Sequence, residues 1–175
     1  MAFNGRKGYN QVVQALQIIK SKGIDLKVRF AGPDYQEGIS KLTEYANQLA
    51  VGGMVEFVGY LNRVELDEFL SGADLYVMPT TAEGLPRVII EAMAKGLPCI
   101  TTPVSGNPEL IDKHFLVDYY DVQTLSDRII ELTQNKEIYE STSKVNYERS
   151  LLYESNILQV RRDEFYSNLR TRIGC

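Results

Sequence analysis

The sequence predicts an α/β fold, a doubly wound and mostly parallel sheet of the Rossmann-like kind. Three observations carry that expectation. Short apolar runs alternate with segments of helical period, the pattern of βα units around a parallel sheet. One of those runs, "DLYVMPT" at 74–80, is apolar almost throughout, as a strand buried on both faces is. Gly or Pro punctuates the junctions, at Gly23, Gly32-Pro33, Gly52-Gly53, Gly96 and Pro103, where the chain must turn between elements. The 175 residues, 44% hydrophobic and 24% charged, suit a single domain over 1–175 with a core of ordinary size.

The elements follow in order. "GYNQVVQALQIIKSKG" places Val12, Val13, Leu16, Ile18 and Ile19 at largely helical spacing, with Gly23 as a stop. "DLKVRFAGPD" alternates Leu26, Val28 and Phe30 before Gly-Pro and predicts a strand. A helix over "SKLTEYANQLAV", a strand over "MVEFVGYL", a short amphipathic helix over "RVELDEFLSGA" and the strand "DLYVMPT" come next. A helix running through Lys95, a fourth strand over "PCITTPV", a helical turn at "NPELI" and a short fifth strand over "HFLVDY" complete the βα part. From Asp121 the sequence predicts helices only, with 136–175 as a helical extension.

Composition excludes several function classes. Nineteen basic against 23 acidic side chains, a net charge of −4, argue against a general nucleic-acid surface, which needs a basic excess. Cys99 and Cys175 show no zinc spacing and no disulfide framework, so no metal site is expected and a reducing, cytoplasmic setting is the default. "MAFNGRKGYN" lacks the apolar core of a signal peptide. No apolar run approaches the roughly 18 residues that span a bilayer. His114, the single histidine, has no second ligand or base near it in sequence and is expected at the surface or a strand edge. Cys99, after Pro98 in an apolar strand, is expected buried and inert, and Cys175 exposed. Tyr139, Tyr147, Tyr153 and Tyr166 are expected to pack on helix surfaces, and "RRDEF" at 161–165 to form a solvated face.

The chemistry concentrates in "TAEGLPRVIIEAMAKGLPCITTPVSGNPEL", 81–110. It directly follows "DLYVMPT", and in doubly wound folds ligands bind beyond the carboxyl ends of the strands. Gly84 lets a bound group approach the backbone. Pro86 suits the first turn of a helix. The N–H groups of Arg87, Val88 and Ile89 are then expected to lack partners within the helix, making an anion site to which Arg87 adds a charge. Glu83 before the helix and Glu91 two turns inside it could each accept hydrogen bonds from hydroxyls on either side of a phosphate. A phosphate between two polyols describes a nucleotide sugar. The same residues also allow a plainer reading, with Glu83 as a favourable partner of the helix dipole and Glu91 as a solvated helix residue.

Glu83, Glu91, "AMAKGLP" and "SGNPELI", in that order over about thirty residues, resemble the signature of the group 1, or family 4, retaining glycosyltransferases of two-domain GT-B fold. "KG" at 7–8, "FAGPD", "VEFVGYL" and "ADLYVMPTTAEG" agree with it, so the resemblance covers roughly 5–135. It implies the donor-binding, C-terminal half of a GT-B enzyme with extra C-terminal helices. It further implies that Glu83 contacts the donor sugar and Glu91 the ribose, while the backbone of Gly84, Leu85, Pro86, Arg87 and Val88 meets the sugar and diphosphate. Lys7, with Arg6 as a second candidate, would bind the diphosphate, and Gly59, Tyr60 and Leu61 would lie beside the base. Glu83 and Lys7 are the expected catalytic pair. The donor, a UDP- or GDP-sugar, is a substrate, and no cofactor or metal is expected. The acceptor would be a glycan, a lipid-linked sugar or another group, with peripheral membrane association of the full enzyme allowed. A non-transferring GT-B enzyme such as a nucleotide-sugar epimerase, or a non-enzymatic module of this fold, stays open as an alternative.

The sequence departs from that pattern twice. Gly84-Leu85-Pro86 stands where the family more often has Gly-Phe-Gly, and Gly5-Arg6 abuts Lys7-Gly8 with only "MAFN" before it. The first strand, central in the order 3-2-1-4-5-6, is therefore short or missing. Residues 1–5 are expected to form a short strand there, or its neighbours to close up, or a partner chain to fill the gap. The N-terminal acceptor domain is expected to be absent from this chain, leaving it inactive alone.

Overall fold

The computed structural model describes residues 5–34 and 37–173. Its strands are all parallel and come in two pairs: β1 (Val28–Ala31) with β2 (Val55–Gly59), and β3 (Tyr76–Met78) with β4 (Cys99–Thr101). Val28 faces Val55 and Phe30 faces Phe57, after which a register shift sets Ala31 opposite Gly59. That shift lets the Gly32 N–H donate to the Gly59 carbonyl at 2.7 Å. In the other pair Tyr76 faces Cys99 and Met78 faces Thr101.

Each strand is followed by a helix. α1 (Tyr9–Ser21) precedes β1, α2 (Gly38–Gln48) follows it, α3 (Arg63–Ser71) follows β2, α4 (Arg87–Ala94) follows β3, and the short α5 (Asn107–Leu110) follows β4. α6 (Val122–Gln134), α7 (Lys136–Ser150) and α8 (Ser155–Ile173) end the chain's described part. α1 buries Val12, Val13, Ala15, Leu16 and Ile19, a face wide enough to serve two apolar clusters. Val12, Val13 and Leu16 pack with Phe30, Leu42, Ala46, Val51 and Met54 around the first strand pair. Ala15 and Ile19 join Met78, Ile89, Met93, Ile100 and Leu125 around the second. Leu26 and Val77 touch both clusters, so side chains make the two pairs one body. Each such fully buried aliphatic side chain contributes about 1.5–3 kcal/mol.

Helix starts follow local chemistry. Asn62 accepts from the N–H groups of Val64 and Glu65 while Glu65 accepts from the Asn62 N–H, a reciprocal capping box. Asp121 accepts from the Thr124 N–H at α6, and Asn135 from Ile138 at α7.

One expected strand needs correction, and another cannot be compared beyond Gly5. The fifth strand over 114–119 is a 3-10 turn, Lys113–Phe115, followed by a single parallel bridge between Leu116 and Thr101. Asp112 captures the His114 N–H and bends the chain there, leaving one ladder contact, from the Val117 N–H to the Thr101 carbonyl. At the place of the missing first strand, β1 and β3 do not close up into one ladder among the described residues. The strand expected over 1–5 lies outside the described residues except for Gly5, which opens a 3-10 turn, Gly5–Lys7. α8 leaves Leu158, Val160, Phe165, Tyr166 and Leu169 exposed. Tyr147 and Tyr166 also face outward, whereas Tyr153 packs on the core as expected. Cys175 lies outside the described residues.

Candidate functional site

β3 ends at Met78, and the buried Pro79 and Thr80 carry the chain to a loop that reaches α4. This loop, at the carboxyl edge of the strands, receives the turn before α1. The Arg6 carbonyl accepts two hydrogen bonds, from the Thr81 N–H at 2.9 Å and from the Thr80 hydroxyl at 3.0 Å. Gly8 caps α1 with φ +66°, and a Cβ there would stand 1.9 Å from the Pro79 carbonyl oxygen. Only glycine permits both that backbone and that approach. Lys7 is thus fixed on both sides, and its ammonium forms an ion pair with Glu83 Oε1. The two side chains are 20% and 14% exposed, well shielded from solvent. Burial lowers the pKa of Lys7, because a charge removed from water is disfavoured. The adjacent carboxylate compensates that ammonium.

The loop after Glu83 is also held. The Gly106 N–H donates to the Gly84 carbonyl at 3.2 Å, and a Cβ on Gly106 would lie 3.1 Å from that oxygen and 3.0 Å from Leu85 Cδ1. Pro86 sits just before α4 in an extended conformation (φ −77°, ψ 101°) and not in its first turn. Its carbonyl takes the Ile89 N–H at 3.0 Å. The expected three free amides are therefore two, those of Arg87 and Val88, which have no backbone acceptor among the described residues. Arg87 is exposed.

The structure brings Lys7 and Glu83 into contact and sets the Gly84–Val88 segment beside them. Arg6 supplies its carbonyl to the framework, with an exposed side chain. Glu91 lies exposed on α4, and Gly59 ends β2 at φ +72°, with Tyr60 73% exposed and Leu61 half-buried. None of Glu91, Tyr60 and Arg87 makes a side-chain hydrogen bond or ion pair with the Lys7–Glu83 pair among the described residues. Sequence reasoning missed the groups beneath the site: Thr80, Thr101, Thr102 and Asn107, each 0–1% exposed. Their signal was three threonines at the ends of two otherwise apolar strands and an asparagine opening α5. Asn107 Oδ1 is buried with no hydrogen-bond partner.

Cys99 and His114 fall where expected. Cys99 is fully buried, and burial pushes its thiol far above the ordinary range, so it is no nucleophile. Tyr76 is raised well above its usual value chiefly by burial. His114 is exposed, its Nε2 2.8 Å from Glu131 Oε2. Among the described residues no group of His, Cys, Asp and Glu could hold a metal ion, and no helix is long and apolar enough to cross a membrane.

Comparison with known proteins bears on this arrangement. The model of a family described as glycosyl transferases group 1 matches residues 2–149. The amylovoran biosynthesis glycosyltransferase AmsK of Erwinia amylovora is 28% identical over 140 residues, covering 75% of this chain and 34% of that protein. Among solved structures, sucrose-phosphate synthase from Thermosynechococcus elongatus aligns with a TM-score of 0.84 at 24% identity, over 97% of this chain and 44% of that one. The Anabaena protein HepE in complex with UDP and glucose aligns at 0.82 and 19% identity, over 96% and 46%. These last two likenesses establish the fold, that of one half of a GT-B glycosyltransferase. The chain spans less than half the length of each of these proteins.

Proposed function

The chain belongs to the group 1 glycosyl transferases, and from that premise we propose that it is the donor-binding part of a retaining enzyme that moves a sugar from a nucleotide diphosphate to an acceptor. The observation that carries the reading is the Lys7–Glu83 pair at the carboxyl end of β3, with Glu83 in the loop that leads into the two open amides of α4. A cation and a helix N-terminus side by side suit a diphosphate, and a carboxylate one residue before Gly84 suits sugar hydroxyls. The complex of HepE with UDP and glucose supports the same ligand class here.

In this reading Lys7, the amides of Arg87 and Val88, and Arg6 as a secondary charge neutralise the diphosphate as the bond from its oxygen to the anomeric carbon breaks. The acceptor oxygen bonds to that carbon on the face the diphosphate left, and its proton passes to the departing diphosphate oxygen. Stabilising the leaving group by fixed charges is the main catalytic term. Glu83 orients the sugar, Glu91 the ribose, and Gly59, Tyr60 and Leu61 flank the base. The acceptor, a glycan, lipid-linked sugar or other group, is bound by a separate N-terminal domain, so this chain alone binds donor without transferring it.

Calorimetry with UDP, GDP and ADP tests the reading. One of them binds in the micromolar to millimolar range, and Lys7→Ala weakens it about tenfold or more, a loss of about 1.4 kcal/mol. Absence of binding to all three by folded protein overturns the proposal.

A further inference from the structure

The β3–β4 ladder ends at Met78 and Thr101, yet the two strands stay joined beyond it through side chains. The Thr80 N–H donates to Thr102 Oγ1 at 3.1 Å, and that hydroxyl donates back to the Thr80 carbonyl at 2.5 Å. Thr101 Oγ1 donates to the Met78 carbonyl at 2.8 Å and accepts from Asn107 Nδ2 at 2.9 Å. Asn107 Nδ2 also donates to the Thr102 carbonyl at 2.9 Å, which can only accept, so the orientation of this amide is fixed. Every hydroxyl in the set donates its one proton and accepts another, a fully used relay.

Thr80 passes the relay to the active-site turn. Its Oγ1 lies 3.0 Å from the Arg6 carbonyl and 3.2 Å from that of Ala82. With one proton to give, it serves the shorter contact, and the Ala82 N–H approaches the same oxygen at 3.4 Å. The Thr81 N–H bonds the Arg6 carbonyl as well. Two donors on one carbonyl orient the Arg6–Lys7 peptide plane about two axes, where one donor would leave it free to swing. Lys7 Nζ sits at the end of a long flexible side chain, so a small rotation of that plane becomes a large displacement of the charge.

We propose that Thr80 and Thr102 are positioning residues for Lys7: their buried hydroxyls transmit the geometry of β4 to the turn that aims the ammonium at the donor diphosphate. The proposal rests on the donor-site reading above and adds to it where that site takes its precision. Buried hydroxyls placed beyond the end of a ladder are costly unless all are paired, and valine would fit the same volume.

The test is UDP titration by calorimetry of the wild type, Thr80→Val, Thr80→Ser, Lys7→Ala and the Thr80→Val/Lys7→Ala double variant, with thermal unfolding of each. Thr80→Val weakens UDP about fivefold to tenfold, Thr80→Ser stays within about twofold of wild type, and the double variant binds no more weakly than Lys7→Ala alone. A purely structural role would lower the unfolding midpoint without that coupling to Lys7. Thr80→Val that binds UDP as wild type does, or whose loss adds in full to that of Lys7→Ala, overturns the proposal. Thr102→Val carries the same test should Thr80→Val not fold. If Lys7→Ala itself leaves UDP binding unchanged, the donor-site reading fails first, and the two failures are told apart by that single variant.

Discussion

Gly8 and Gly23 offer a controlled comparison, because both have left-handed backbones, at φ +66° and +76°, and differ only in surroundings. A Cβ on Gly23 would meet nothing within 4 Å, whereas on Gly8 it would stand 1.9 Å from the Pro79 oxygen and 2.7 Å from Pro79 Cγ. Alanine in the left-handed region costs about 1–2 kcal/mol, offset by about 0.4–1 kcal/mol from the restricted unfolded chain. Gly23→Ala therefore costs about 0–1.6 kcal/mol. At Gly8 the closest contact must open by about 1.5 Å to reach ordinary van der Waals distance near 3.4 Å. Pro79 is buried between strand and core, so the turn moves instead. Such a move breaks the two hydrogen bonds on the Arg6 carbonyl, each contributing about 0.5–1.5 kcal/mol. The expected total for Gly8→Ala is about 3 kcal/mol. Urea unfolding measures both variants, and UDP titration of Gly8→Ala under folding conditions shows a loss as Lys7 leaves its place. Equal destabilisation by the two substitutions would refute the claim that close approach to Pro79, and not backbone conformation alone, fixes the turn.

Two further outcomes are expected. Glu83→Gln leaves the Lys7 ammonium without its counter-charge in a shielded place, lowering stability by about 1–3 kcal/mol; UDP then raises the unfolding temperature of this variant more than that of wild type, since its phosphate replaces the lost partner, and an equal or smaller rise would count against Lys7 as the phosphate ligand. Asn62→Ala removes the acceptor of the capping box at α3 and costs about 1 kcal/mol in chemical denaturation, with α3 as the first element to lose amide-exchange protection.

Much of the fold was legible because its signals are local. Val12, Val13, Leu16 and Ile19 mark the buried face of α1 by spacing alone, and the all-apolar "DLYVMPT" marks a strand covered on both sides. What failed was decided by partners distant in sequence. "HFLVDY" has strand composition, but β4 offers Leu116 a single bridge at Thr101, and the nearby Asp112 bends the preceding residues into a turn. Local preference loses where the ladder that should receive it has already ended. Tyr147 and Tyr166 likewise have helix-packing character, yet about half of each stands exposed.

The site was legible in its charges and illegible in its supports, for a physical reason. Lys7 and Glu83 are separated by three helices and three strands, and the roles proposed for them follow from residue type: a mobile cation for phosphate, a carboxylate for hydroxyls. Their contact is set by Gly8 against Pro79 and by Thr80 on the Arg6 carbonyl, where the informative facts are the absence of a side chain and the direction of one hydroxyl proton. Neither has a signature in spacing. The pair also shows why Glu83 reads so readily as a mere helix-dipole partner: without a ligand its charge is already countered by Lys7, although its Oε1 has no hydrogen-bond partner. A diphosphate that draws Lys7 toward itself leaves the Glu83 carboxylate short of a donor at the moment a sugar hydroxyl arrives to supply one. On the proposed reading, diphosphate competes for the Lys7 donors and a sugar hydroxyl for the Glu83 lone pairs, so a sugar-bearing nucleotide is expected to bind more tightly than free phosphate, by more than either residue would confer alone.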